Sequence, residues 1–239
     1  MRNQYLYLNI KSLKRFINFL LIDFSKSFLY SQSSFKDILK DSIISKFRFL
    51  SRDFNEVIAQ TNISDKEISQ LKSDLENGYI RSHMNKTLSK AVTYENVPNF
   101  LLKIINDNKE LINAYLGSEV LHEKTVIWRN YHIDRDFEGY DIFSNVWHQD
   151  SHDGNRLLKI FVLIEDVSEK DGPFHWLREK DTKKNWDLLF ERWGFDSFSG
   201  PKHFNSQRKL IGKKGDYLIL DTSRCIHRDS NPDKTRDIV

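Results

Sequence analysis

The chain has a single cysteine, Cys225, among 239 residues, so it can form neither an internal disulfide nor a cysteine-based zinc site. That excludes a disulfide-stapled scaffold and fits a reducing, cytoplasmic setting. Breakers are scarce as well, with four prolines and nine glycines against 31 aromatic side chains, a balance that excludes a disordered chain. No charge of one sign dominates. The 37 Lys+Arg and 34 Asp+Glu leave a net charge of +3, spread without a basic block, so nucleic-acid binding has no electrostatic footprint here. Long apolar runs are missing too. The most apolar stretch, Phe16 to Phe24, contains Asn18 and Asp23 and is flanked by Lys11, Lys14, Arg15 and Lys26, whereas a bilayer-spanning helix needs about 18 apolar residues. Phe24-Ser25-Lys26-Ser27-Phe28 is also a poor signal-peptide cleavage site. The stretch reads as a helix of the folded protein, with lying on a membrane surface as the alternative.

The chain does have enough apolar content, 39%, to bury a core of one domain with an appendage. Through residues 8 to 60 the apolar positions recur at three and four: Phe16, Phe19, Leu20 and Phe24, then Phe35, Ile38, Leu39 and Ile43, then Phe54, Val57 and Ile58. This spacing predicts helix faces. From Ile63 to Gly78 the punctuation is clearer. Ser64 and Glu67 form a capping box, Ile68, Leu71 and Leu75 make a stripe, and Gly78 offers a left-handed stop. Pro98 opens a further helix to about Tyr115. The division expected is an N-terminal helical extension at 1–62 followed by a domain at 63–239. The extension has no histidine or cysteine, so its stripes are expected to pack on an outer face or to form a homodimer contact.

Past Gly117 the pattern changes to short β-branched and aromatic runs between Gly, Asp, Asn and Pro. Strands are expected at about 124–133, 142–148, 156–166, 172–177, 209–212, 216–221 and 224–228, with a last one from Thr235; 185–193 reads as a helical insertion. Many short strands without a βαβ rhythm indicate a sandwich or jelly roll with helices outside it, an α+β chain.

The chemistry concentrates in Val146-Trp147-His148-Gln149-Asp150. On an extended strand, residues i and i+2 point the same way, so the His148 imidazole and the Asp150 carboxylate can grip one metal ion. His227, 77 residues after Asp150 and at the end of a strand-like run, is the candidate third ligand. Two imidazoles and a carboxylate on one face leave three positions open, the arrangement of non-heme Fe(II) oxygenases. His-x-Asp alone is a weak signal, because the triplet arises often by chance.

The surrounding blocks add specificity. Asn77-Gly78-Tyr79-Ile80, Trp147 to Asp150, Leu158 to Asp166 followed by Asp171-Gly172-Pro173, and Gly215 to Asp221 followed by His227 resemble, in that order, blocks of the phytanoyl-CoA dioxygenase family of iron- and 2-oxoglutarate-dependent oxygenases. The resemblance covers residues 64 to 239. It implies a double-stranded β-helix core, cupin-like, with the N-terminal helices outside. It also implies Fe(II) held by His148, Asp150 and His227, 2-oxoglutarate and O₂ as co-substrates, and hydroxylation of a C–H bond in a small organic metabolite with release of succinate and CO₂. Related halogenases have a small residue in place of Asp150, so hydroxylation is favoured over halogenation. Desaturation, cyclisation or a non-catalytic binding module on the same fold are the alternatives. Two departures stand out: Leu177-Arg178-Glu179-Lys180 replaces the family's Pro-Gly-Ser-His stretch, and the family's final strand normally continues beyond the three residues that follow Arg236 here.

Arg236 lies close to where the family places the arginine that grips the far carboxylate of 2-oxoglutarate, a task suited to a planar fork; Arg228 and Arg224 compete for it. Lys159 is the one charge in an otherwise apolar strand. If it shares the inward face with Phe161 and Leu163 it would hold 2-oxoglutarate or a substrate acid, with Phe161 walling the pocket; otherwise it snorkels at a strand edge. Gln149, between the ligands, is grouped with these co-substrate residues. So is Tyr131, on the strand before the His-x-Asp, although alternation permits either Arg129 with Tyr131 or Asn130 with His132 to face inward. His152 could substitute as a ligand. His83, His122, His132, His175 and His203 lack partners at ligand spacing, and Cys225 reads as a buried structural thiol.

Overall fold

A computed structural model describes residues 54–83, 86–116, 124–133, 145, 147, 148, 150, 157–182 and 206–239. The expected helices of residues 8–53, the homodimer contact assigned to them, the 185–193 insertion and Gln149 lie outside these residues.

Among the described residues, ten strands and four α-helices follow one another as β1 (Val57–Gln60), α1 (Asp65–Glu76), β2 (Tyr79–His83), β3 (Lys86–Tyr94), α2 (Asn99–Asp107), α3 (Lys109–Leu116), β4 (Thr125–Tyr131), β5 (Leu158–Val162), β6 (His175–Trp176), α4 (Glu179–Thr182), β7 (Arg208–Lys209), β8 (Asp216–Asp221), β9 (His227–Arg228) and β10 (Thr235–Ile238). The strands form three antiparallel sheets ordered β1-β8-β5, β10-β4-β3-β2 and β7-β6-β9.

Both faces of the β5–β8 pair are covered, which is why Leu158 to Val162, apart from Lys159, and Tyr217 to Leu220 read as apolar runs. On one face Ile160, Val162, Tyr217 and Ile219 pack with Leu71 and Leu75 of α1, Phe100 and Ile104 of α2, and Ile112 of α3. On the other, Phe161, Leu163, Leu218 and Leu220 pack with Phe174, Trp176, Cys225, Ile238 and Trp128. Strict alternation therefore puts Lys159 on this second face, with Phe161 and Leu163.

The capping box is present at α1: Glu67 N–H donates to Ser64 Oγ at 3.2 Å, and Ser64 N–H to Glu67 Oε2 at 3.0 Å. Gly78, however, is not a left-handed stop, since it is absent from the positive-φ glycines and Asn77 closes the helix at φ −98°. Its constraint is proximity. A Cβ there would sit 2.8 Å from the Ala91 carbonyl oxygen of β3.

The helical reading also needs correcting at three places. Val57 and Ile58, spaced as a helix face, lie in β1, which pairs with β8 through Val57↔Ile219 and Ile58↔Leu218, and Phe54 sits in the core against Tyr115 with ring centroids 4.6 Å apart. Residues 54–62 thus pack with the sheet, where a ladder partner overrides a short periodic signal. The strands do not begin after Gly117, because β2 and β3 form a hairpin within the first half, continued by β4. Finally, the helix from Pro98 breaks at Asn108, whose side-chain amide donates to the Ile104 carbonyl at 2.8 Å and to the Tyr217 hydroxyl at 3.1 Å. A short amide that satisfies its own helix end competes with continuation. Pro98 itself precedes the helix as its cap.

Gly172 lies in the left-handed region at φ 66°. A Cβ would meet Pro232 N and Ser230 O at 2.6 Å each, and both contacts are backbone. Gly172→Ala is expected to destabilise the fold by roughly 2–4 kcal/mol, from backbone strain plus forced displacement of the 230–232 segment. Urea melts of the two proteins measure this; an unchanged midpoint would mean the segment yields freely. Among the described residues no helix is long and apolar enough to cross a membrane.

Candidate metal centre

The chain turns back on itself after β8, and that turn is built by a buried polar cluster. Asp221 accepts hydrogen bonds from Ser223 Oγ at 2.6 Å, Ser223 N–H at 2.9 Å and Tyr115 OH at 2.5 Å. Burial pushes the Asp221 carboxyl up, against these hydrogen bonds. Arg224, in the same turn, reaches Glu179 at 2.8 Å and Tyr115 OH at 3.1 Å. The turn then presents two backbone acceptors to the segments that matter. Asp150 N–H donates to the Thr222 carbonyl at 3.0 Å, and His148 and His227 exchange both backbone hydrogen bonds at 2.9 Å.

Residues far apart in sequence are thereby brought together. His148, Asp150 and His227 are all buried, and each offers a ligand atom within 4.8 Å of the others. His227 Nε2 lies 3.3 Å from Asp150 Oδ2, His148 Nε2 lies 3.8 Å from Asp150 Oδ1, and the two imidazole centroids are 4.4 Å apart. The Nδ1 of His227 is 2.9 Å from the Cys225 carbonyl oxygen. A carbonyl can only accept, so Nδ1 carries the proton and Nε2 is aimed at the cluster, the usual way a ligating imidazole is oriented. Burial alone would raise the Asp150 carboxyl. His227, through charge and hydrogen bonding, together with Lys159 and His148, holds it well below the usual carboxylate range. Two neutral-capable imidazoles and one ionised carboxylate are a donor set suited to a borderline divalent ion such as Fe(II).

The ammonium of Lys159 finds its anion within the chain: Nζ is 2.7 Å from Asp150 Oδ2. Phe161 stacks on Phe174 at 4.1 Å, and Phe174 in turn lies 5.5 Å from the His227 ring, so Phe174, backed by Phe161, borders the His148–Asp150–His227 cluster.

Arg236, on β10, is fully buried. One Nη donates to the Gly172 carbonyl, and the other to Asp229 Oδ1 at 2.5 Å, so part of the fork expected to grip a ligand is engaged by the protein. Its Nε has no partner among the described residues. Directly opposite Arg236 in the ladder is Asn130, and opposite Asn130 is Ser89. All three are essentially unexposed, at 0%, 1% and 1%, and the Asn130 amide and the Ser89 hydroxyl also lack partners among the described residues. Buried polar atoms are rarely left unsatisfied. A row of them across three strands has the donors to take a carboxylate.

This row settles which face of β4 joins Arg236. Cross-strand partners share a face, so Asn130 projects with Arg236. Tyr131 and Arg129 project the other way, and Arg129 pairs there with Asp237 at 2.7 Å and with Glu76. Tyr131 is therefore not brought to Arg236. His132 is bound through Nδ1 to the Pro232 carbonyl at 2.8 Å. Of the competing arginines, Arg224 is committed to Glu179 and Tyr115, and Arg228 lies over the Trp147 ring at 5.0 Å. Ser89 and Asp229 were not singled out in the sequence, since only the register across β3, β4 and β10 reveals the first and only the fold the second. Cys225 is buried, and burial raises its thiol well above the ordinary value.

On β6, His175 Nδ1 is 2.5 Å from Gln207 Nε2 and 3.5 Å from an Arg228 nitrogen. Burial, then the charges of Arg228, Lys209 and Arg236, depress its pKa to about 3. An imidazole that stays neutral in the fold but titrates near 6.5 in the unfolded chain makes the unfolded state bind more protons between those values. Stability is fully present above about pH 6.5 and is lost as pH falls toward 3. Acidification to pH 5 should cost on the order of 2 kcal/mol through this group. Denaturant melts at pH 7.5 and 5 on wild type and His175→Gln test it: the variant's acid loss should be smaller, and equal losses would exclude His175 as the source.

No protein-family model matches the chain, and no curated relative does. Solved structures do share its fold. One is the epimerase SnoN, crystallised in complex with Fe3+, alpha ketoglutarate and nogalamycin RO; it is 13% identical over 82% of each chain with a TM-score of 0.50. Another is SnoK, a non-heme alpha ketoglutarate dependent carbocyclase from nogalamycin biosynthesis, 12% identical over 80% of this chain and 79% of that one, TM-score 0.50. EctD from S. alaskensis also aligns, at 14% identity over 81% and 74%, TM-score 0.48.

Proposed function

We propose that the chain is an Fe(II)- and 2-oxoglutarate-dependent oxygenase that hydroxylates a C–H bond of a small organic metabolite and releases succinate and CO₂, with its sheets forming a double-stranded β-helix of the phytanoyl-CoA dioxygenase type. The observation that carries this reading is the convergence of His148, Asp150 and His227 on one buried point, in a chain that also buries the Ser89 hydroxyl, the Asn130 amide and the Arg236 Nε in one row, none of them with a partner among the described residues. The fold shared with SnoN and SnoK, both named for alpha ketoglutarate in their structures, supports it.

In this reading His148, Asp150 and His227 hold the iron, which supplies oxygen activation when bound. Arg236 Nε, the Asn130 amide and Ser89 Oγ are donors for the far carboxylate of 2-oxoglutarate, with Asn130 in the place first given to Tyr131. The Cys225 carbonyl keeps the His227 Nδ1 proton in place, so Nε2 remains the donor. Phe161 and Phe174 exclude water from one side of the cluster. The reaction is assigned to the 63–239 domain, with residues 54–62 contributing β1 to its sheet. Desaturation or ring closure would use the same residues and differ in where the substrate carbon lies, so products must be identified.

The test is anaerobic titration of the Fe(II)-loaded protein with 2-oxoglutarate, followed by succinate release on admitting O₂ in the presence of a metabolite library. Saturable 2-oxoglutarate binding that requires Fe(II), with substrate-stimulated succinate, is expected. No iron-dependent 2-oxoglutarate binding would reject the reading, and binding without turnover of any kind would favour a non-catalytic module.

A further inference from the structure

Asp150 is held from two sides, and the second side has no part in ligation. Its backbone N–H is fixed to Thr222, and Thr222 N–H is fixed to the Leu157 carbonyl at 3.0 Å. Two residues later on the same strand, and in register with Leu220 of β8, Lys159 directs Nζ to Asp150 Oδ2 at 2.7 Å. That oxygen is also the one 3.3 Å from His227 Nε2. The lysine side chain is 40% exposed while Asp150 is 10% exposed, so the ammonium stands at the boundary between cluster and solvent and is anchored by the same three-segment ladder as the ligand.

We propose that Lys159 is a positioning residue that makes Asp150 a one-oxygen metal ligand. A carboxylate can offer a divalent ion one oxygen or two. With one oxygen committed to an ammonium, an ion drawing on both would meet a positive charge at hydrogen-bond range, which electrostatics opposes. Two imidazoles and one oxygen leave three positions of a six-coordinate ion open, whereas two imidazoles and two oxygens leave two. The inference rests on the iron reading above, in which a chelating keto acid and O₂ together require three. Lys159 thereby sets the number of open positions without touching substrate or co-substrate.

The experiment uses the full chain loaded with Mn(II), with the wild type, Lys159→Met and Lys159→Arg compared by ¹⁷O-water broadening of the Mn(II) spectrum, which counts metal-bound waters. Lys159→Met removes the charge but keeps the length of a half-exposed side chain, and Lys159→Arg keeps a donor cation. Lys159→Met is expected to hold one fewer bound water than wild type, and Lys159→Arg to restore the count. Equal water counts in all three proteins would overturn the proposal. A second arm titrates the anaerobic Fe(II) forms with 2-oxoglutarate and with pyruvate, which has the keto acid end but no far carboxylate. Lys159→Met should weaken both by a similar factor, roughly tenfold, as loss of an oriented ligand does. Weakening of 2-oxoglutarate alone would mean that Lys159 grips the far carboxylate, and would also overturn the proposal. If the wild type binds neither keto acid, the oxygenase reading fails while the water count still decides the role of Lys159.

Discussion

His148→Ala and His227→Ala are each expected to abolish stoichiometric Fe(II) or Co(II) binding. The cluster offers three protein donors, and the removal of one costs on the order of 3 kcal/mol if the affinity of a four-ligand site is divided evenly among its ligands. Two donors seldom hold a labile divalent ion. Both histidines are buried and exchange backbone hydrogen bonds with each other across the bridge, so truncating one side chain leaves that backbone pairing in place and the loss can be read as loss of ligation. Asp150→Ala should differ. It removes the one negative charge of the cluster but leaves two imidazoles that can still share an ion weakly, so residual binding is expected together with loss of turnover. Equilibrium dialysis followed by metal analysis measures all three, with His175→Gln as the control. His175 packs near Trp147, with ring centroids 6.2 Å apart, and is not one of the clustered ligands, so its stoichiometry should match the wild type. Retention of a full equivalent by both histidine variants would refute the triad.

What could be read from the sequence follows from how each signal is generated. His148 and Asp150 were legible because strand alternation is a local rule, and His227 because a strand-like run ends at it. The α1 helix was legible from Ser64 and Glu67, whose reciprocal bonds involve four consecutive residues. β1 was not, because four residues have no periodicity of their own and become a strand only through pairing with β8. The phase of β4 could not be read either. Ile127 packs against the helices on one face and Trp128 against the other core cluster, so a strand covered on both sides carries no hydrophobic contrast to say which face holds the polar residue that matters. The register Ser89↔Asn130↔Arg236 supplies that answer, and register is a property of three strands. Alternation grouped Lys159 with Phe161 and Leu163 but left open whether that face is the inner one and what the ammonium meets, since the nearest anion is fixed by how the turn after β8 docks Asp150.

Arg236→Ala is expected to collapse 2-oxoglutarate affinity while leaving metal stoichiometry intact. Leaving a buried carboxylate without its cation typically costs on the order of 2–5 kcal/mol, and Arg236 is entirely buried on the strand facing Asn130. The structure complicates a simple truncation. The guanidinium also bonds the Gly172 carbonyl and Asp229, so alanine would orphan both and lower stability as well. Arg236→Lys separates the two effects, because lysine retains a cation for Asp229 but has no Nε–H to offer a ligand. The lysine variant should melt closer to wild type than the alanine variant does, yet bind 2-oxoglutarate at least about tenfold more weakly, since the planar fork is lost. Asn130→Leu provides the independent check from across the ladder. It replaces a buried amide that has no partner among the described residues by an apolar side chain of similar size, so the metal-free protein should become no less stable, and 2-oxoglutarate binding should weaken in parallel with Arg236→Lys. Calorimetric titration of the Fe(II)-loaded proteins under anaerobic conditions measures these affinities, and pyruvate, which lacks the far carboxylate, should bind all of them alike. If Arg236→Lys and Asn130→Leu both bind 2-oxoglutarate as the wild type does, the buried row is a structural feature of the sheet and the co-substrate's far carboxylate must be held elsewhere, with Arg228 beside His175 the next position to test.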